Sequence, residues 1–326
     1  MNSAQSAQNL LDELSRHALG QPKLVKFLVA ATMAGSHVLL EGVPGLGKTL
    51  VAKALGKALS QQFGRIQFTA DLMPGDIIGT RMVMEDEAGK RYFEFQPGPL
   101  FTDLLLADEI NRASPKTQAA LLEAMEERQV TVGREKLPLT PGFMVLATQN
   151  PIEMEGTFPL PEAQLDRFAV KLELSFPSAK TLATIVDQHT SRAAPEVTQV
   201  CCQAELDALR QETRDVVLAA HVRDYAIALV LGTHPTSDQA PSAVREYVRH
   251  GASPRGLLSL IMTAKALALM DQRLNVSFAD VAEAAPHALC HRVVLNFEAQ
   301  ASDITTHELL ATVLNDCQHL RGGGRG

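Results

Sequence analysis

Short apolar runs alternate with stretches of helical periodicity over the first half of the chain. Helices are predicted over residues 22–34 and from Thr49 to about residue 60. Apolar runs of strand length occupy residues 37–40, 65–69, 104–107, 143–148 and 169–174. Because these runs are separated by helical segments and do not alternate with polar residues, they predict a parallel sheet covered on both faces, the pattern of an α/β fold.

The second half of the chain has helical periodicity and no clear strand pattern. Helices are predicted over residues 180–188, 204–210, 216–231, 241–250, 254–269 and 279–289. The change falls at Phe176-Pro177-Ser178, so we expect an α/β domain over residues 1–176 and an α-helical domain over residues 177–321. The glycine-rich residues 322–326 are expected to form a flexible tail.

Two segments of the first domain predict β-hairpins. Residues 80–84 and 91–95 flank an acidic turn, inside an insertion of about residues 72–99. A second hairpin is predicted at about residues 129–139, around Gly133.

The turn after the first predicted strand matches the phosphate-binding pattern G-x-x-x-x-G-K-[ST]. Its glycines let successive N–H groups point at phosphate oxygens, and the following helix adds the partial positive charge of its N-terminus. Lys48 would reach the β- and γ-phosphates, and the Thr49 hydroxyl would ligate Mg²⁺. The predicted contacts are Gly42, Val43, Pro44, Gly45, Leu46, Gly47, Lys48, Thr49 and Leu50. The motif predicts binding of a nucleoside triphosphate, with ATP and Mg²⁺ as the cofactors.

Polar side chains follow two later apolar runs. Asp108 and Glu109 end the first of them, where the first acid would hold the Mg²⁺ water shell and the second would polarise the attacking water. The alternative is that this pair only caps the helix that starts near Ser114. Asn150 ends the second run, where a neutral amide can contact both the γ-phosphate and the water. Arg167 precedes the last run; on its own, it would be read as a surface ion pair with Asp166 or Glu162.

Composition narrows the class of protein. The 326 residues carry a formal net charge of −7, which argues against a broad grip on nucleic acid or anionic membrane. No apolar run approaches the ~20 residues of a membrane span, and the polar N-terminus does not have the pattern of a signal peptide. The four cysteines contain no C-x-x-C pair. We therefore expect free thiols in a cytoplasmic protein.

The order of these motifs resembles that of an AAA+ ATPase. The stretches EINRASPKTQ (109–118), LLEAM (121–125), ATQNPIE (147–153) and GTFPLPEAQLDRF (156–168) resemble the MoxR family specifically. The resemblance extends over about residues 19–292. Glycine at position 47 departs from the alanine that many members carry before the lysine.

The resemblance implies a role for each matched residue. Asp108 and Glu109 would be the Walker B pair, and Asn150 the sensor 1 residue. Arg167 would be the arginine finger that reaches a neighbouring subunit's ATP, while Arg255, in the stretch 251–256, would be a sensor 2 residue on the γ-phosphate. Gly20 and Gln21 would lie against the adenine. The two hairpins would be the helix-2 insert and the pre-sensor-1 insertion.

The resemblance also implies an assembly and a partner. It implies a ring homo-oligomer, expected to be a hexamer, that remodels or matures a partner complex together with a von Willebrand factor A domain protein. The alternatives are a metal-chelatase-type motor subunit and a slow ATP-gated binding scaffold. A nucleic-acid motor is disfavoured by the acidic tip 85–87, and a threading unfoldase by the absence of an aromatic-aliphatic-glycine tip. His287 and His291 are four residues apart and could hold a metal, but packed histidines are the preferred interpretation.

Overall fold

The computed structural model describes residues 3–87, 89–151, 157–190 and 196–322. Its strands are β1 (Val38–Glu41), β2 (Phe63–Gln67), β3 (Gly79–Glu85), β4 (Arg91–Pro97), β5 (Leu104–Asp108), β6 (Gln129–Val132), β7 (Glu135–Pro138), β8 (Met144–Gln149), β9 (Val170–Glu173), β10 (Val248–His250) and β11 (Val294–Leu295). The main sheet has the order β2-β5-β8-β1-β9, and all of its pairings are parallel. The five apolar runs of the sequence form these five strands, so the predicted α/β fold is confirmed.

Helices cover the sheet and form most of the second half of the chain. They are α1 (Ser3–His17), α2 (Pro22–Met33), α3 (Lys48–Ala58), α4 (Pro74–Ile78), α5 (Pro115–Glu127), α6 (Glu162–Leu165), α7 (Ala179–Thr190), α8 (Gln203–Asp215), α9 (Ala220–Gly232), α10 (Ser242–Tyr247), α11 (Pro254–Met270), α12 (Phe278–Leu289), α13 (Phe297–Ala301) and α14 (Thr306–Asp316). As predicted, α5 begins with proline after Ser114, whose hydroxyl oxygen accepts a hydrogen bond from the Thr117 amide.

The parallel pairing gives the sheet two chemically distinct edges. At the carboxyl edge, Glu41 at the end of β1 lies opposite Gln149, and Asp108 at the end of β5 lies opposite Gln67. At the amino edge, His37 precedes β1. The five residue-to-residue steps from His37 to Gly42 separate the two edges by about 16 Å along the strand.

The two predicted hairpins are present and lie outside the main sheet. β3 pairs with β4, and β6 pairs with β7, both antiparallel. An ion pair of 2.7 Å between Arg81 Nη2 and Glu135 Oε2 joins them.

The larger hydrophobic cluster continues from the sheet into the helical half. It contains Leu28 and Leu40 of the first half together with Leu206, Leu229 and Leu267 of the second. Helix α2 packs against α8 and α11, and α12 packs against β9. The division into domains near residue 176 stays a prediction.

Three features of the structure differ from the expectations. Residues 248–250 form β10, paired with β11, instead of ending a helix over 241–250. Residues 216–219 are not helical, because Val217 forms a bridge with Asn275. The polar N-terminal segment forms α1, whose apolar stripe includes the buried residues Leu10 and Leu14.

The remaining sequence predictions concern the cysteines, the tail and the membrane. All four cysteines are free thiols, as predicted. Most of the predicted flexible tail, residues 323–326, lies outside the described residues, whereas Arg321 is ordered against the Tyr225 hydroxyl, with Nη2 at 2.6 Å. Within the described ranges, no helix combines the length and apolar character needed to cross a bilayer.

Candidate active site

The phosphate-binding turn leaves the carboxyl edge of the sheet between β1 and α3. Gly45 and Gly47 have φ of +86° and +85°, a left-handed conformation that residues with a Cβ rarely adopt. The turn therefore directs its backbone amides toward the same point as the N-terminus of α3, which suits a polyphosphate. The buried Lys48 ammonium donates to the Gly42 carbonyl.

Burial and the neighbouring carboxylates have opposite effects on the charge of Lys48. Burial lowers the pKa of its ammonium, while the nearby carboxylates of Asp108, Glu109 and Glu41 act in the opposite direction. The three carboxylates thus favour the charged lysine at a position where it can neutralise phosphate.

Asp108 is the last residue of β5, and it lies beside Thr49. Its Oδ1 accepts a hydrogen bond of 2.6 Å from the Thr148 hydroxyl, and its Oδ2 is 3.4 Å from the Thr49 hydroxyl. Arg65 of β2 donates to the same Oδ2 at 2.8 Å. The Thr49 hydroxyl and the Asp108 carboxylate are oxygen ligands of the kind Mg²⁺ prefers, so the pair fits a Mg²⁺ site.

Glu109 is held in an unusual conformation just beyond β5. Its φ of +57° and ψ of +49° place a residue other than glycine in the left-handed region. Its amide donates to the Thr148 hydroxyl oxygen at 2.8 Å, while its Oε2 is 3.0 Å from both Gln67 Nε2 and Arg112 Nε. The Glu109 carboxylate is therefore held in place by Gln67 of β2 and by Arg112 of the turn that follows Glu109.

Asn150 follows β8, which lies between β5 and β1 in the sheet. It is buried, with 6% of its surface exposed, and its carbonyl accepts a hydrogen bond from Asn111 Nδ2 at 3.4 Å. The sheet order therefore places Asn150 at the same edge as Asp108 and the P-loop. In the motif stretches that follow Asn150, residues 152–156 lie outside the described residues.

A largely apolar pocket continues from the P-loop toward the N-terminal helices. Its lining includes Leu19, Gln21, Leu46, Leu50 and Ile185. Gln21 is fixed by a hydrogen bond of 2.7 Å from its Nε2 to the Ser175 carbonyl. A mostly apolar lining suits a nucleobase, and Gln21 is among the lining residues; its contact with the adenine stays a prediction.

Gly20 lies between Leu19 and Gln21 but is not itself among the residues that line this pocket. Its φ is +74°, and a Cβ there would lie 2.7 Å from Thr181 Cγ2. The turn between α1 and α2 can therefore pack against α7 only if this residue is glycine.

The two arginines of the predicted site lie at the opposite edge of the sheet. Arg167 Nε donates to Glu126 Oε2 at 2.8 Å, and Arg255 Nη2 pairs with Glu126 Oε1. Both arginines border one pocket together with His37, which precedes β1. The structure therefore brings Arg255 to Arg167, at the edge of the sheet opposite to its own P-loop.

Sequence reasoning missed several residues that orient the site. Gln67 ends β2 and Thr148 is the next-to-last residue of β8; their polarity near the end of a strand was the available signal. Glu126 has no comparable signal, since it is one of several acids on the helix α5. Arg112, a residue of the stretch 109–118 whose role could not be derived from its spacing, pairs with Glu109.

His287 and His291 have packing partners. The His287 ring lies 3.9 Å, centroid to centroid, from the Phe27 ring, and His291 Nε2 is 2.9 Å from the Phe168 carbonyl oxygen. The described part of the chain contains no group of three or more side chains that could ligate a metal.

Comparison with known proteins places this geometry in a family. A profile described as "ATPase family associated with various cellular activities (AAA)" matches residues 37–170, and one described as "AAA lid domain" matches residues 240–313. The chain is 39% identical over 302 residues to Chaperone MoxR1 of Mycobacterium tuberculosis, covering 93% of this chain and 79% of that protein. It is 29% identical to Protein MoxR of Methylorubrum extorquens, covering 87% of this chain and 86% of that protein.

The chain belongs to the MoxR family of AAA+ ATPases. An uncharacterized protein of Bacillus subtilis, YeaC, is 39% identical to it, covering 94% of this chain and 92% of that protein. The crystal structure of a candidate ATPase from Cytophaga hutchinsonii superimposes with a TM-score of 0.89 at 38% identity, covering 96% of this chain and 94% of that one. The fold is thus an AAA+ core followed by a helical lid, and the protein is an ATP-hydrolysing enzyme.

Proposed function

We propose that this MoxR-family ATPase works as a ring, expected to be a hexamer, in which each subunit's Arg167 and Arg255 complete the neighbouring subunit's ATP site. The observation that carries the proposal is that both guanidinium groups converge on Glu126 at the amino edge of the sheet. A carboxylate that binds two arginines occupies the kind of position that a phosphate oxyanion would take. At this edge the available phosphate is a neighbour's.

Within each subunit, the residues of the carboxyl edge would bind the nucleotide and activate water. The P-loop amides and Lys48 bind the phosphates, and Gln21 borders the adenine. Thr49 and Asp108 would hold Mg²⁺, which supplies positive charge to the phosphates when bound. Glu109 accepts the proton of the attacking water, and Asn150 orients that water.

We further propose that hydrolysis drives chaperone-like remodelling of a partner protein complex. Two observations support this: the Mycobacterium tuberculosis relative is named a chaperone, and residues 109–168 resemble the MoxR family, whose members act with von Willebrand factor A domain proteins. Nucleic acid is a poor candidate, since the chain carries a net charge of −7 and the β3–β4 tip is acidic.

The shared site can be tested by mixing two inactive variants. Lys48→Ala removes phosphate binding but leaves Arg167 intact, whereas Arg167→Ala leaves the P-loop intact. In mixed rings, an Arg167→Ala subunit can use the finger of a Lys48→Ala neighbour, so ATPase activity should partly return. Differently tagged subunits would confirm mixing. Absence of recovery in confirmed mixed rings would show that Arg167 does not act across the subunit boundary.

A further inference from the structure

A buried arginine of the helical half holds the segment that carries Arg167. Arg292 follows α12 in a short 3-10 turn, and only 1% of its side chain is exposed. Its Nε donates to Asp166 Oδ1 at 2.8 Å, and its Nη2 donates to the backbone carbonyls of Asp166 and Phe168, both at 2.8 Å. These acceptors belong to the residues immediately before and after Arg167.

The same guanidinium also binds groups on either side of this segment. Its Nη1 donates to the Ala169 carbonyl at 3.1 Å and to the Ala288 carbonyl, and its Nη2 reaches Ser259 Oγ of α11 at 3.2 Å. A Cβ at Gly256 would lie 2.8 Å from Arg292 Cδ. The first turn of α11, next to Arg255, is therefore shaped around the stem of Arg292.

Asp166 links this arrangement to the start of α11. The Ser253 hydroxyl donates to Asp166 Oδ1 at 2.6 Å, and Ser253 Oγ accepts a hydrogen bond from the Gly256 amide at 3.3 Å as the cap of α11. One carboxylate oxygen thus receives hydrogen bonds from Ser253 and Arg292. As a result, the backbone at Arg167 and the first turn of the helix that carries Arg255 are fixed to each other.

Stability alone is a weak reason for this arrangement. Removing an arginine and a carboxylate from water costs several kcal/mol, and apolar replacements are often neutral or more stable. Of the six hydrogen bonds that Arg292 donates, four go to Asp166, Phe168 and Ala169, around the partly exposed Arg167, and one goes to its own helix. Such bonds would keep the Arg167 guanidinium at a fixed position before a neighbour's phosphate arrives.

We propose that Arg292 is a positioning residue for ATP hydrolysis in the neighbouring subunit, acting through Asp166 and the backbone on both sides of Arg167. This inference rests on the proposed function of Arg167 as a finger that acts across the subunit boundary. It predicts that loss of Arg292 damages the neighbour's site and spares the nucleotide site of its own subunit.

Arg292→Met keeps the apolar stem and removes the guanidinium. We expect kcat to fall about 10- to 100-fold, the cost of misplacing a catalytic group by about 1 Å. The Kd of ATP at the P-loop should stay within about twofold of wild type, because that site lies at the other edge of the sheet. Phosphate release and fluorescent-nucleotide titration measure the two quantities.

Arg273→Met is the matched control. Arg273 also forms an ion pair with an aspartate, through Nη1 at 2.7 Å from Asp280 Oδ2, but its hydrogen-bond partners are Asp271, Asn275 and Asp280, all in the helical half. It should lower the melting temperature and leave kcat within about threefold of wild type below that temperature. An equal loss of kcat in both variants would reduce the role of Arg292 to general stability.

Mixing experiments then separate the neighbour's site from the subunit's own. Arg292→Met mixed with Lys48→Ala should gain activity, because the Arg292→Met P-loop receives an intact finger. Mixed with Arg167→Ala, it should gain none, since neither subunit offers a well-placed finger. If Lys48→Ala rescues Arg167→Ala but not Arg292→Met, the role assigned to Arg292 is wrong. If it rescues neither, the proposed role of Arg167 itself fails.

A second variant separates the loss of the Arg292 guanidinium from an unfolding of the protein. Arg292→Met leaves Asp166 without its arginine, and an uncompensated charge of this kind can unfold a protein. The double variant Asp166→Asn/Arg292→Met removes both charges, and we expect it to fold and to behave like Arg292→Met in each mixture. Wild-type kcat in a folded double variant would overturn the inference.

Discussion

The two edges of the parallel sheet both carry charged groups suited to phosphate, yet they are assembled differently. At the carboxyl edge, each functional group is close in sequence to the strand that positions it: Asp108 ends β5, Asn150 follows β8, and Thr49 follows β1 after the short P-loop. At the amino edge, Arg167 and Arg255 come from separate halves of the chain, and the carboxylate that joins them belongs to a third element. Glu126 and Arg255 are 129 residues apart in sequence.

This difference matters for interpreting the motifs. A P-loop is a local structure, so its sequence predicts both its chemistry and its place. A lone arginine in a motif predicts chemistry only, because its place depends on how distant elements pack. The stretch around Arg255 resembles a sensor 2 motif, but the fold puts this arginine beside Arg167, on the side of the sheet away from the subunit's own P-loop.

The largest expected contrast between the edges is that between Lys48 and Arg167. Lys48→Ala should abolish ATP binding, since the buried ammonium is the P-loop's own cation. Arg167→Ala should bind ATP with nearly unchanged Kd and lose about 10³–10⁵ in kcat, the range for arginine fingers. Nucleotide titration and phosphate release measure both. If Arg167→Ala weakened ATP binding as much as Lys48→Ala, the two edges would not be functionally separate.

Within the carboxyl edge, Glu109→Gln should lower kcat about 10²–10⁴-fold while ATP still binds, because the amide cannot accept the proton of water. The matched control is Gln67→Ala, which removes a hydrogen bond to the Glu109 carboxylate but keeps the base. It should change kcat by no more than about fivefold, the equivalent of one ordinary hydrogen bond. Wild-type hydrolysis by Glu109→Gln would contradict the assignment of the base.

Arg255→Ala distinguishes the two edges most directly. If Arg255 serves a neighbour, kcat of the assembled protein should fall about 10- to 100-fold, the equivalent of one charged hydrogen bond. The Kd of ATP for dilute, unassembled subunits should not change. A weaker Kd in unassembled subunits would instead place Arg255 at its own γ-phosphate.

The smallest expected effect is the pH dependence of stability that His37, at the amino edge, should produce. Burial lowers the pKa of His37 from 6.5 to about 4, against the raising effect of its hydrogen bond to the Met125 carbonyl. Because the unfolded chain then binds more protons between these values, the free energy of unfolding should fall as pH falls. His37 should account for about 2 kcal/mol between pH 7 and pH 5.

Denaturant unfolding at several pH values measures this dependence. In the wild-type protein, the Val145 amide donates to His37 Nδ1 at 3.0 Å, and His37→Asn retains an acceptor for that amide. It should reduce the pH dependence, whereas the exposed control His250→Asn should not. An unchanged pH dependence in His37→Asn would exclude His37 as its source.

Much of the fold follows from local pattern. The apolar run at residues 104–107 became β5, because a strand buried on both faces needs a continuous apolar stretch. The helix predicted over residues 241–250 was wrong at its end, because β10 exists only through its pairing with β11. In that pairing, Leu295 lies opposite Val248, 47 residues earlier in the chain. Helix α1 had a usable signal in the spacing of Ala7, Leu10 and Leu14, which the polar composition of the segment obscured.

The sequence by itself determined the chemistry of the carboxyl edge: the glycines that shape the P-loop, the lysine and threonine that follow, and the acids at the end of an apolar strand. These depend on residues close together in the chain and on the rule that parallel strands end at one edge. Only the tertiary structure decided that Glu126 joins Arg167 to Arg255, that Gln67 of β2 binds Glu109, and that Arg292 fixes the backbone around Arg167. Such contacts join elements that meet through strand order and helix packing, and no local spacing encodes them.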